Sequence, residues 1–581
     1  MAAHGFAKPQ LAKTLFSRET AGYLTTAGGF WAAVVYLVCI CLYFSWIFPN
    51  LTSSLLGPPE DNLQDLWNTW YSQKLLPFNL RGFYFTRSIF YPEGATLIYH
   101  SFSYSNLLLI YVIRTLFGFS ARIDALVGLN NVMILLSFFL SALGTFYLAK
   151  YITSNFFASL IAGFIFAFSP FHIAHSLHHM HVATVQYIPW FVLFFLKYTT
   201  EKTALQFCGA VMFFVLGALS SFYYLVYNLF FIGLYCIYSV CVKKRPLIKD
   251  LLAPSAAIVI CGMVMLSPLL IPMVIKGVTN PRVYIPGHNV YVADLLGFIV
   301  FHPYHLLASY AAPINNRLSG NAWEMSVYLG WVNIALLVWS LMTRDAFKIK
   351  GYIFSIAVMA VFMLLAMGEK PHVLGKSVDV QMLPTVFLEH LPLLRNLRTP
   401  SRAVVYVYLF LGIASGLMIK HLFFGSEGCP PVWRTTHRLR TLILVALSTL
   451  IFIDFYPANL ASTKIECPPA YSEIVRDPTP TFGILDLPTG YVNGNFYMAY
   501  QICHHRPIVN AIISRKLEAT LSDRLEERSS ARQKDALTSN QVKYIVVHKG
   551  LLQTNDFDVA EYKSFYQTIY EDQQSIVFKV Y

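Results

Sequence analysis

Charged residues are scarce in this sequence. Asp, Glu, Lys and Arg make up only 13% of its 581 residues, whereas hydrophobic residues make up 56%, and the mean hydropathy is +0.52. This composition excludes an ordinary soluble protein and indicates a polytopic membrane protein. The net charge of +13 does not indicate nucleic-acid binding, because the basic residues fall mainly in short clusters between apolar runs, where the positive-inside rule places them. We therefore expect membrane lipids and no nucleic acid as partners.

The sequence also lacks an internal repeat, a low-complexity stretch and a Cys-x-x-Cys pair. Secondary transporters tend to show internal repeats and broken helices at the bilayer midplane, so the absence of both argues against that class. Most of the nine cysteines lie in apolar runs, where a thiol behaves as a small apolar side chain. Cys467 and Cys503 lie beyond the last run, and they form either a disulfide in an oxidising compartment or two unrelated buried thiols.

Eleven apolar segments are predicted to cross the membrane. They are residues 29–48, 126–149, 157–171, 182–197, 205–220, 222–241, 252–275, 325–343, 352–367, 402–423 and 440–456. The first is longer than a signal-peptide core and has no clear cleavage site, so we predict an uncleaved helix with the N-terminus inside. The loops that this topology places inside are all basic. Their cations are Lys150, Lys197, Lys202, Lys243, Lys244, Arg245, Lys249, Arg344, Lys348, Lys350, Arg434, Arg438 and Arg440.

Residues 103–118 are apolar enough for a further span, but the segment contains Arg114. A crossing at this point would invert every later loop and place the basic clusters outside. We therefore predict a helix in the outer interface, whose arginine reaches the lipid headgroups.

The predicted fold is an α-helical polytopic membrane domain followed by a soluble α/β domain. The membrane domain comprises residues 1–456, with outer loops 49–125, 276–324 and 368–401. Residues 457–581, called the tail below, are rich in charge and contain short β-like runs, and we expect them to form one modest core on the outer side.

Two adjacent acids, Glu60 and Asp61, follow the first span in the sequence GPPEDNLQDLWNTW, residues 57–70. A carboxylate near the membrane is typical of a functional site. The alternative is that Asp61 only caps the helix predicted to begin near Asn62, because Asp is a favoured N-cap residue. Asp65, one turn later, is expected to be a solvated helix position.

The run SPFHIAHSLHHMHVATVQ, residues 169–186, contains five histidines between two spans: His172, His175, His178, His179 and His181. The i, i+4 spacing of His175 and His179 places both on one helix face, as a metal ion requires, but no Cys or HExxH glutamate accompanies them. We favour histidines that bind a phosphate or a sugar hydroxyl, and the alternative is a polar helix hairpin.

The sequence NLRTPSRAVV places Arg398 and Arg402 four residues apart at the outer end of a span. On one helix face they form a permanently charged site for a phosphate or carboxylate. Anchoring to lipid phosphates is the alternative. Asp294 and Glu324 add further acids on the same predicted side.

Several segments resemble a family of bacterial and archaeal polytopic proteins related to the GT-C glycosyltransferase superfamily. In chain order they are EDNLQDLWNTWYSQKLLPF, IFYPEGATLIYHS, GFIFAFSPFHIAHSLHHMHVATVQYIPWFVLFFLK, YVADLLGFIVFHP, WEMSVYLGW and NLRTPSRAVV, and the tail segment LPTGYVNGNFYMAYQICHHRPIVNAIISR is also similar. The resemblance implies a GT-C fold with juxtamembrane helices and an essential acid shortly after the first helix. Asp61 matches that acid, and Glu60 stands where a glycine is expected.

The resemblance implies an inverting transfer of a sugar from a polyprenyl-phosphate donor to a glycan, lipid or protein at the outer face of the inner membrane. We expect Asp61, with Glu60 beside it, to provide the catalytic base, and the departing phosphate to be stabilised by arginines or by a divalent cation such as Mg²⁺ or Mn²⁺. A lipid or polysaccharide transporter and a non-catalytic envelope assembly protein are the alternatives. The expected donor-phosphate ligands are Arg398, Arg402 and His100, and the expected substrate ligands are His175, His178, His179, Asp294 and Glu324.

Overall fold

The computed structural model describes most of the chain. The described residues are 26–242, 246, 248–284, 289–343, 345–380, 397–425, 431–432, 436–458, 460–525, 528–552 and 558–581. Five of the basic residues predicted on the inner side therefore lie outside the described residues, as does part of the outer loop 368–401. The five are Lys243, Lys244, Arg245, Arg344 and Arg434.

The protein is mostly helical, and each of the eleven predicted spans contains a helix. These helices are Thr26–Phe44, Ile123–Thr153, Phe156–Ala167, Tyr187–Glu201, Ala204–Ser220, Phe222–Cys241, Ala253–Thr279, Trp331–Thr343, Tyr352–Ala366, Val404–Phe424 and His437–Asp454. Within the described parts of the chain, five helices are long and apolar enough to cross a membrane, or six if one bent pair counts as a single span. The protein is thus a multi-pass membrane protein, and the number eleven stays a prediction.

The bent pair lies at the histidine-rich run. Helix Phe156–Ala167 ends and helix Pro170–Ser176 begins at an angle of 42°. Ser169 is the N-cap of the second helix, where its hydroxyl accepts a hydrogen bond from the backbone N–H of His172, and Pro170 occupies the first turn. Serine at the N-cap and proline directly after it are strong helix-start signals, so the sequence itself causes the break. The break turns the histidines toward the outer loops.

Helix Val404–Phe424 forms the centre of the membrane domain, because every residue in it except Lys420 and Phe424 is buried. It packs closely against helix Phe156–Ala167 through two glycines. A Cβ atom on Gly412 would lie 2.7 Å from the Ala162 carbonyl oxygen, and one on Gly416 would lie 2.7 Å from that of Ala158. Small residues at such a contact allow two helix backbones to approach each other.

The first outer loop contains two helices, Asp61–Leu75 and Tyr104–Phe117, and the short strands Ser54–Leu56, Phe85–Thr86 and Ala95–Thr96. Helix Tyr104–Phe117 occupies the segment predicted to lie in the interface, and it exposes large apolar side chains such as Leu116 and Phe117. Arg114 does not depend on headgroups for a partner, because its Nε donates a hydrogen bond to Gln73 Oε1 at 3.0 Å.

The remaining outer segments are short. They contain helix Ala308–Asn315, the 3₁₀ helices Pro281–Val283, Leu295–Phe298 and Pro400–Ala403, and the strands His372–Val373 and Lys376–Ser377. The first outer loop also contains the 3₁₀ helices Phe48–Asn50 and Leu80–Phe83. A π-helical turn, Ile248–Leu252, and a 3₁₀ helix, Asp345–Lys348, precede two of the membrane helices on the opposite side.

The tail contains a mixed four-stranded sheet. In spatial order its strands are Gly483–Leu487, Val542–His548, Ser575–Lys579 and Gln567–Glu571, and only the first pair is parallel. The helices of the tail are Tyr471–Val475, Tyr491–His504, Leu521–Arg524, Ala531–Ser539 and Val559–Phe565, with a 3₁₀ helix at Lys549–Leu551.

The tail lies against the first outer loop. Strand Ser462–Lys464 pairs antiparallel with strand Ser54–Leu56. Helix Tyr491–His504 packs on helix Asp61–Leu75 in one shared hydrophobic cluster, where Trp67 Nε1 donates to Gln501 Oε1 at 2.6 Å. The first loop and the tail therefore hold each other in a defined position.

Cys467 and Cys503 form a disulfide, with their Cα atoms 5.8 Å apart. This confirms one of the two alternatives that the sequence left open. The bond connects the start of the tail to the end of helix Tyr491–His504, so it stabilises the element that packs on the first loop.

Replacing both cysteines by serine is expected to destabilise the folded tail by roughly 2–4 kcal/mol, because the unfolded chain then regains the freedom of the open loop. Thermal unfolding of the purified protein measures the loss. Alkylation before and after reduction should differ by two thiols in the wild type and by none in the double variant. An equal number of thiols before and after reduction of the wild type would contradict the pairing.

Candidate functional site

A cavity of about 370 Å³ lies where the first outer loop, the histidine turn, the segment before helix Val404–Phe424 and the tail meet. Six of the residues selected from the sequence line it: Asp61, His100, His179, His181, Arg398 and Arg402. The tail contributes Tyr491 and the segment 512–515. The cavity is thus built from parts of the chain that are more than 400 residues apart.

Asp61 is the first residue of its helix, and Glu60 occupies the N-cap position without a side-chain cap bond. The amide oxygen of Asn62 instead accepts hydrogen bonds from the backbone N–H groups of Glu60 and Leu63, each at 3.0 Å. The alternative that Asp61 only caps the helix is therefore wrong. Its carboxylate is available to other groups.

The carboxylate of Asp61 is held by two side chains. The Tyr491 hydroxyl donates a hydrogen bond to Oδ1 at 2.5 Å, and His179 Nε2 lies 3.2 Å from Oδ2. Burial alone would raise the pKa of Asp61, but the hydrogen bond from His179, its charge and the hydrogen bond from Tyr491 outweigh burial and hold the pKa well below its usual range. Asp61 is therefore an ionised carboxylate at the wall of the cavity.

Glu60 has different surroundings. His178 Nδ1 donates to Glu60 Oε2 at 3.1 Å, and His178 Nε2 accepts a hydrogen bond from the Tyr304 hydroxyl at 2.7 Å. The His178 ring stacks on Trp323 with the ring centres 4.0 Å apart. Burial and the neighbouring charge of Asp61 raise the pKa of Glu60, while burial lowers the pKa of His178 to about 3. Glu60 and His178 form a pair beside Asp61 rather than a second wall of the cavity.

Arg402 and Glu324 form a buried ion pair. Arg402 Nε and Nη2 both donate to Glu324 Oε1, at 2.9 and 2.7 Å, and Ser401 donates to Oε2 at 2.7 Å. His175 Nε2 lies 3.8 Å from the same Oε2. Only 3% of Glu324 and 9% of Arg402 is exposed. The positive charge of Arg402 is thus compensated within the protein, although the residue lines the cavity.

The prediction that Arg398 and Arg402 share a helix face is wrong. The first helical turn, Pro400–Ala403, begins only after Arg398, and Thr399, its N-cap, has a non-helical backbone. The residue before a proline is disfavoured in the helical region, so Pro400 sets this boundary. Arg398 nevertheless reaches the same cavity, where it is half-buried.

The other predicted ligands have other surroundings. His100 Nε2 lies 2.7 Å from Asn68 Oδ1, and burial lowers the pKa of His100 to about 3, so the ring is a neutral member of the cavity wall. His172 stacks on Phe138 and bonds to Ser137. Asp294 lies outside the cavity, where it caps the 3₁₀ helix that follows it and accepts a hydrogen bond from Gly375 N–H at 2.9 Å.

The described residues do not form a metal site of three or more His, Cys, Asp or Glu ligands. His175 and His179 are not on one helix, because helix Pro170–Ser176 ends before His179, and their Nδ1 atoms lie 3.4 Å apart. The described side chains at the cavity wall thus offer no group of three protein ligands for the divalent cation considered from the sequence.

Sequence reasoning missed three residues that shape the site. Tyr491 and Arg515 come from the tail, and nothing in their local pattern indicates a partner in the first loop. Asp65 was expected to be solvated but is buried, and its Oδ2 accepts a hydrogen bond from Met180 N–H at 2.9 Å. Burial raises the pKa of Asp65 to about 8. Its position one turn after Asp61, toward the histidine turn, was the available signal.

Two solved structures share the overall fold. The arabinofuranosyltransferase AftD from Mycobacteria matches with a TM-score of 0.56 and 13% identity over 95% of this chain, which spans 41% of the AftD chain. The oligosaccharyltransferase of Archaeoglobus fulgidus in its apo form matches with a TM-score of 0.51 and 13% identity over 94% of this chain and 73% of its own. No curated protein sequence matches.

At this level of identity the two structures show the fold alone, and they confirm the predicted GT-C fold. The sequence of residues 105–426 matches the family described as domain of unknown function DUF6311. That segment covers more than half of the chain and contains the histidine turn, Arg398 and Arg402. The chain therefore belongs to the DUF6311 family, whose member here has the GT-C fold.

Proposed function

We propose that the protein is a membrane glycosyltransferase that moves a sugar from a polyprenyl-phosphate donor to an acceptor at the outer face of the membrane. One observation carries the proposal. In a GT-C fold, a single cavity contains an ionised carboxylate, Asp61, together with cationic side chains such as Arg398. In a glycosyl transfer a carboxylate can take the proton of the attacking acceptor, and cations can stabilise the charge of the departing phosphate.

In the proposed reaction the acceptor hydroxyl or amide attacks the anomeric carbon of the donor sugar from the face opposite the phosphate. Asp61 takes the acceptor proton while the new bond forms and the bond between the anomeric carbon and the phosphate oxygen breaks. The bonding electrons leave with the lipid phosphate, whose charge is stabilised by arginine. One displacement of this kind inverts the anomeric centre. The lowered pKa makes Asp61 a weak base. Stabilisation of the departing phosphate therefore contributes more than Asp61 does to lowering the activation barrier.

We assign supporting roles to the neighbouring polar residues. His179 and Tyr491 orient the Asp61 carboxylate. Glu324, whose Oε2 lies 3.8 Å from His175 Nε2, holds Arg402 in place at the cavity wall. The pair of Glu60 and His178, with the ring of Trp323 behind it, is placed to contact the acceptor as it approaches Asp61.

We also propose that the site faces the extracytoplasmic side of the inner membrane and that residues 457–581 act as an extracytoplasmic domain. The Cys467–Cys503 disulfide supports this orientation, because structural disulfides persist mainly in oxidising compartments. The acceptor is then a glycan, a lipid or a protein of the envelope.

The proposal is tested with the purified full chain in lipid nanodiscs, supplied with radiolabelled polyprenyl-phosphate hexoses and pentoses and with an envelope extract as the acceptor. We expect label to appear in the acceptor fraction and polyprenyl phosphate to be released in equal amount. The matched control omits the extract. In a parallel experiment the same protein is reconstituted into sealed vesicles, where movement of an intact donor across the bilayer without release of polyprenyl phosphate would contradict the proposal and favour a transporter.

Replacing Tyr491 by phenylalanine removes one hydrogen bond that favours the ionised form of Asp61. The wild-type pKa lies well below its usual range, so activity should persist into acid and fall only as the pH drops through that lowered value. In the variant the acidic limb of kcat/KM should move to higher pH. An acidic limb at the same pH in both proteins would show that Tyr491 does not set the ionisation of Asp61.

A further inference from the structure

The three arginines that line the cavity are not equivalent. Arg402 is paired with Glu324, whereas Arg398 and Arg515 have no carboxylate within ion-pair distance in the part of the chain that the structure describes. The carboxylate of Asp61, on the same cavity wall, is already engaged by His179 and Tyr491. The cavity thus contains two positive charges that none of the described carboxylates compensates by an ion pair.

The positive charges of Arg398 and Arg515 lie close enough to repel each other. Burial and the charge of Arg398 together lower the pKa of Arg515 to about 10. Two cations that share a partly buried cavity cost free energy, and a bound anion between them offsets that cost. Such an arrangement is typical of a ligand site rather than of a structural contact.

Arg515 is also preorganised. Its Nε donates to the Val283 carbonyl at 3.0 Å and its Nη1 donates to the Ser514 carbonyl at 2.7 Å. A guanidinium has five N–H donors, so these two bonds fix its plane and leave Nη2 for a ligand. The side chain therefore loses little further freedom when an anion binds, and a planar donor group suits phosphate oxygens.

The tail and the first loop meet beside this pair. The hydroxyls of Ser101 and Ser514 lie 2.5 Å apart, and both residues line the cavity. Arg398 reaches the same space from the segment that precedes helix Val404–Phe424. Arg515 can occupy its position only when the tail is docked on the first loop.

We infer that Arg398 and Arg515 together bind the phosphate of a prenyl phosphate, with the tail supplying half of the anion site. Arg402 lines the cavity but is not assigned to the phosphate, because Glu324 compensates its charge. The inference rests on the proposed function and names the group that holds the donor phosphate. It gives the tail a direct role in donor binding, beyond covering the site.

The test measures binding of farnesyl phosphate to the purified full chain by isothermal titration calorimetry, with no sugar and no acceptor present. Arg515→Gln and Arg398→Gln are each expected to weaken binding by about 10- to 100-fold, the range for a lost hydrogen bond to a charged group. Arg476→Gln is the matched control, because Arg476 pairs with Glu473 within the tail and outside the cavity, so its replacement should leave the affinity unchanged.

Three competitors separate the possible sources of the anion. Farnesol should not compete, inorganic phosphate should compete weakly, and phosphatidylglycerol vesicles should compete less well than farnesyl phosphate. Equal affinity of the wild type and both cavity variants for farnesyl phosphate would overturn the inference, as would equal competition by inorganic phosphate or by phosphatidylglycerol. Arg398→Gln provides a second variant if Arg515→Gln fails to fold, because Arg515 is bonded to two backbone carbonyls.

The binding assay and the transfer assay can fail independently, so the anion site and the proposed enzyme activity are tested separately. Arginine-dependent binding of farnesyl phosphate without sugar transfer would support the anion site and count against the proposed enzyme. Undiminished transfer by Arg515→Gln would leave the enzyme proposal intact and overturn the assignment of Arg515.

Discussion

Asp61→Asn is expected to lower the rate of sugar transfer by roughly 10²- to 10⁴-fold, which corresponds to about 3 to 5 kcal/mol of activation free energy. Asparagine keeps the shape of the side chain but removes its charge and its ability to accept the acceptor proton. Folding should change little, because the Asp61 carboxylate does not cap its helix and loses only a modest interaction with the helix dipole. The measurement is single-turnover transfer by the purified variant in nanodiscs.

Asp65→Asn is the matched control for this experiment. It makes the same chemical change one turn later in the same helix, at a buried residue that does not line the cavity. Because the pKa of Asp65 is raised to about 8, its carboxyl is mainly protonated at neutral pH, and the neutral amide should preserve the transfer rate. Equal transfer rates for wild type and Asp61→Asn would show that Asp61 is not the base. An equal loss of transfer rate in both variants would show that the substitutions disturb the helix in general and not the base.

Glu324→Gln is expected to destabilise the protein by about 3–5 kcal/mol, because it leaves the Arg402 guanidinium buried and uncompensated. The carboxylate of Glu324 accepts both hydrogen bonds from Arg402 and one from Ser401, and both members of the ion pair are almost completely buried. Thermal unfolding of the purified protein at constant detergent and lipid concentration measures the loss. The double variant Glu324→Gln/Arg402→Met should recover much of it, since no unpaired charge then remains.

The exposed pair of Arg122 and Asp124 provides the matched control. Its atoms lie 3.4 Å apart, but 78% and 53% of the two side chains is exposed, so Asp124→Asn should change stability by less than about 1 kcal/mol. A loss from Glu324→Gln as small as that of the control would contradict a structural role for the buried pair. A Glu324→Gln/Arg402→Met double variant less stable than Glu324→Gln alone would also contradict a structural role for the buried pair.

Sequence reasoning succeeds for features that depend on local pattern. Each apolar run contains a helix, and the two cysteines beyond the last run form the disulfide that was one of the two alternatives left open. The acid that follows the first span identifies Asp61, which lines the cavity. Each of these signals is contained in a short stretch of chain, so periodicity, charge and position are enough to find it.

The features that the sequence misses depend on distant parts of the chain or on single backbone signals. Tyr491 bonds to Asp61 across 430 residues, and Arg402 bonds to Glu324 across 78. Helical spacing alone predicts that Arg398 and Arg402 share a face, but Pro400 starts the helix after Arg398. These partners follow from docking of the tail and from packing of the helices, which no local pattern encodes.

The central claim is that the cavity beside Asp61 binds a lipid-phosphate-linked sugar in a position for transfer. A cryo-EM structure of Asp61→Asn in nanodiscs with a polyprenyl-phosphate sugar tests it most directly. The account predicts density for the phosphate between Arg398 and Arg515, with the sugar directed toward residue 61 and its anomeric carbon open to an acceptor about 3–3.5 Å away. Density for the lipid phosphate elsewhere on the protein, with the cavity empty of sugar, would contradict the account.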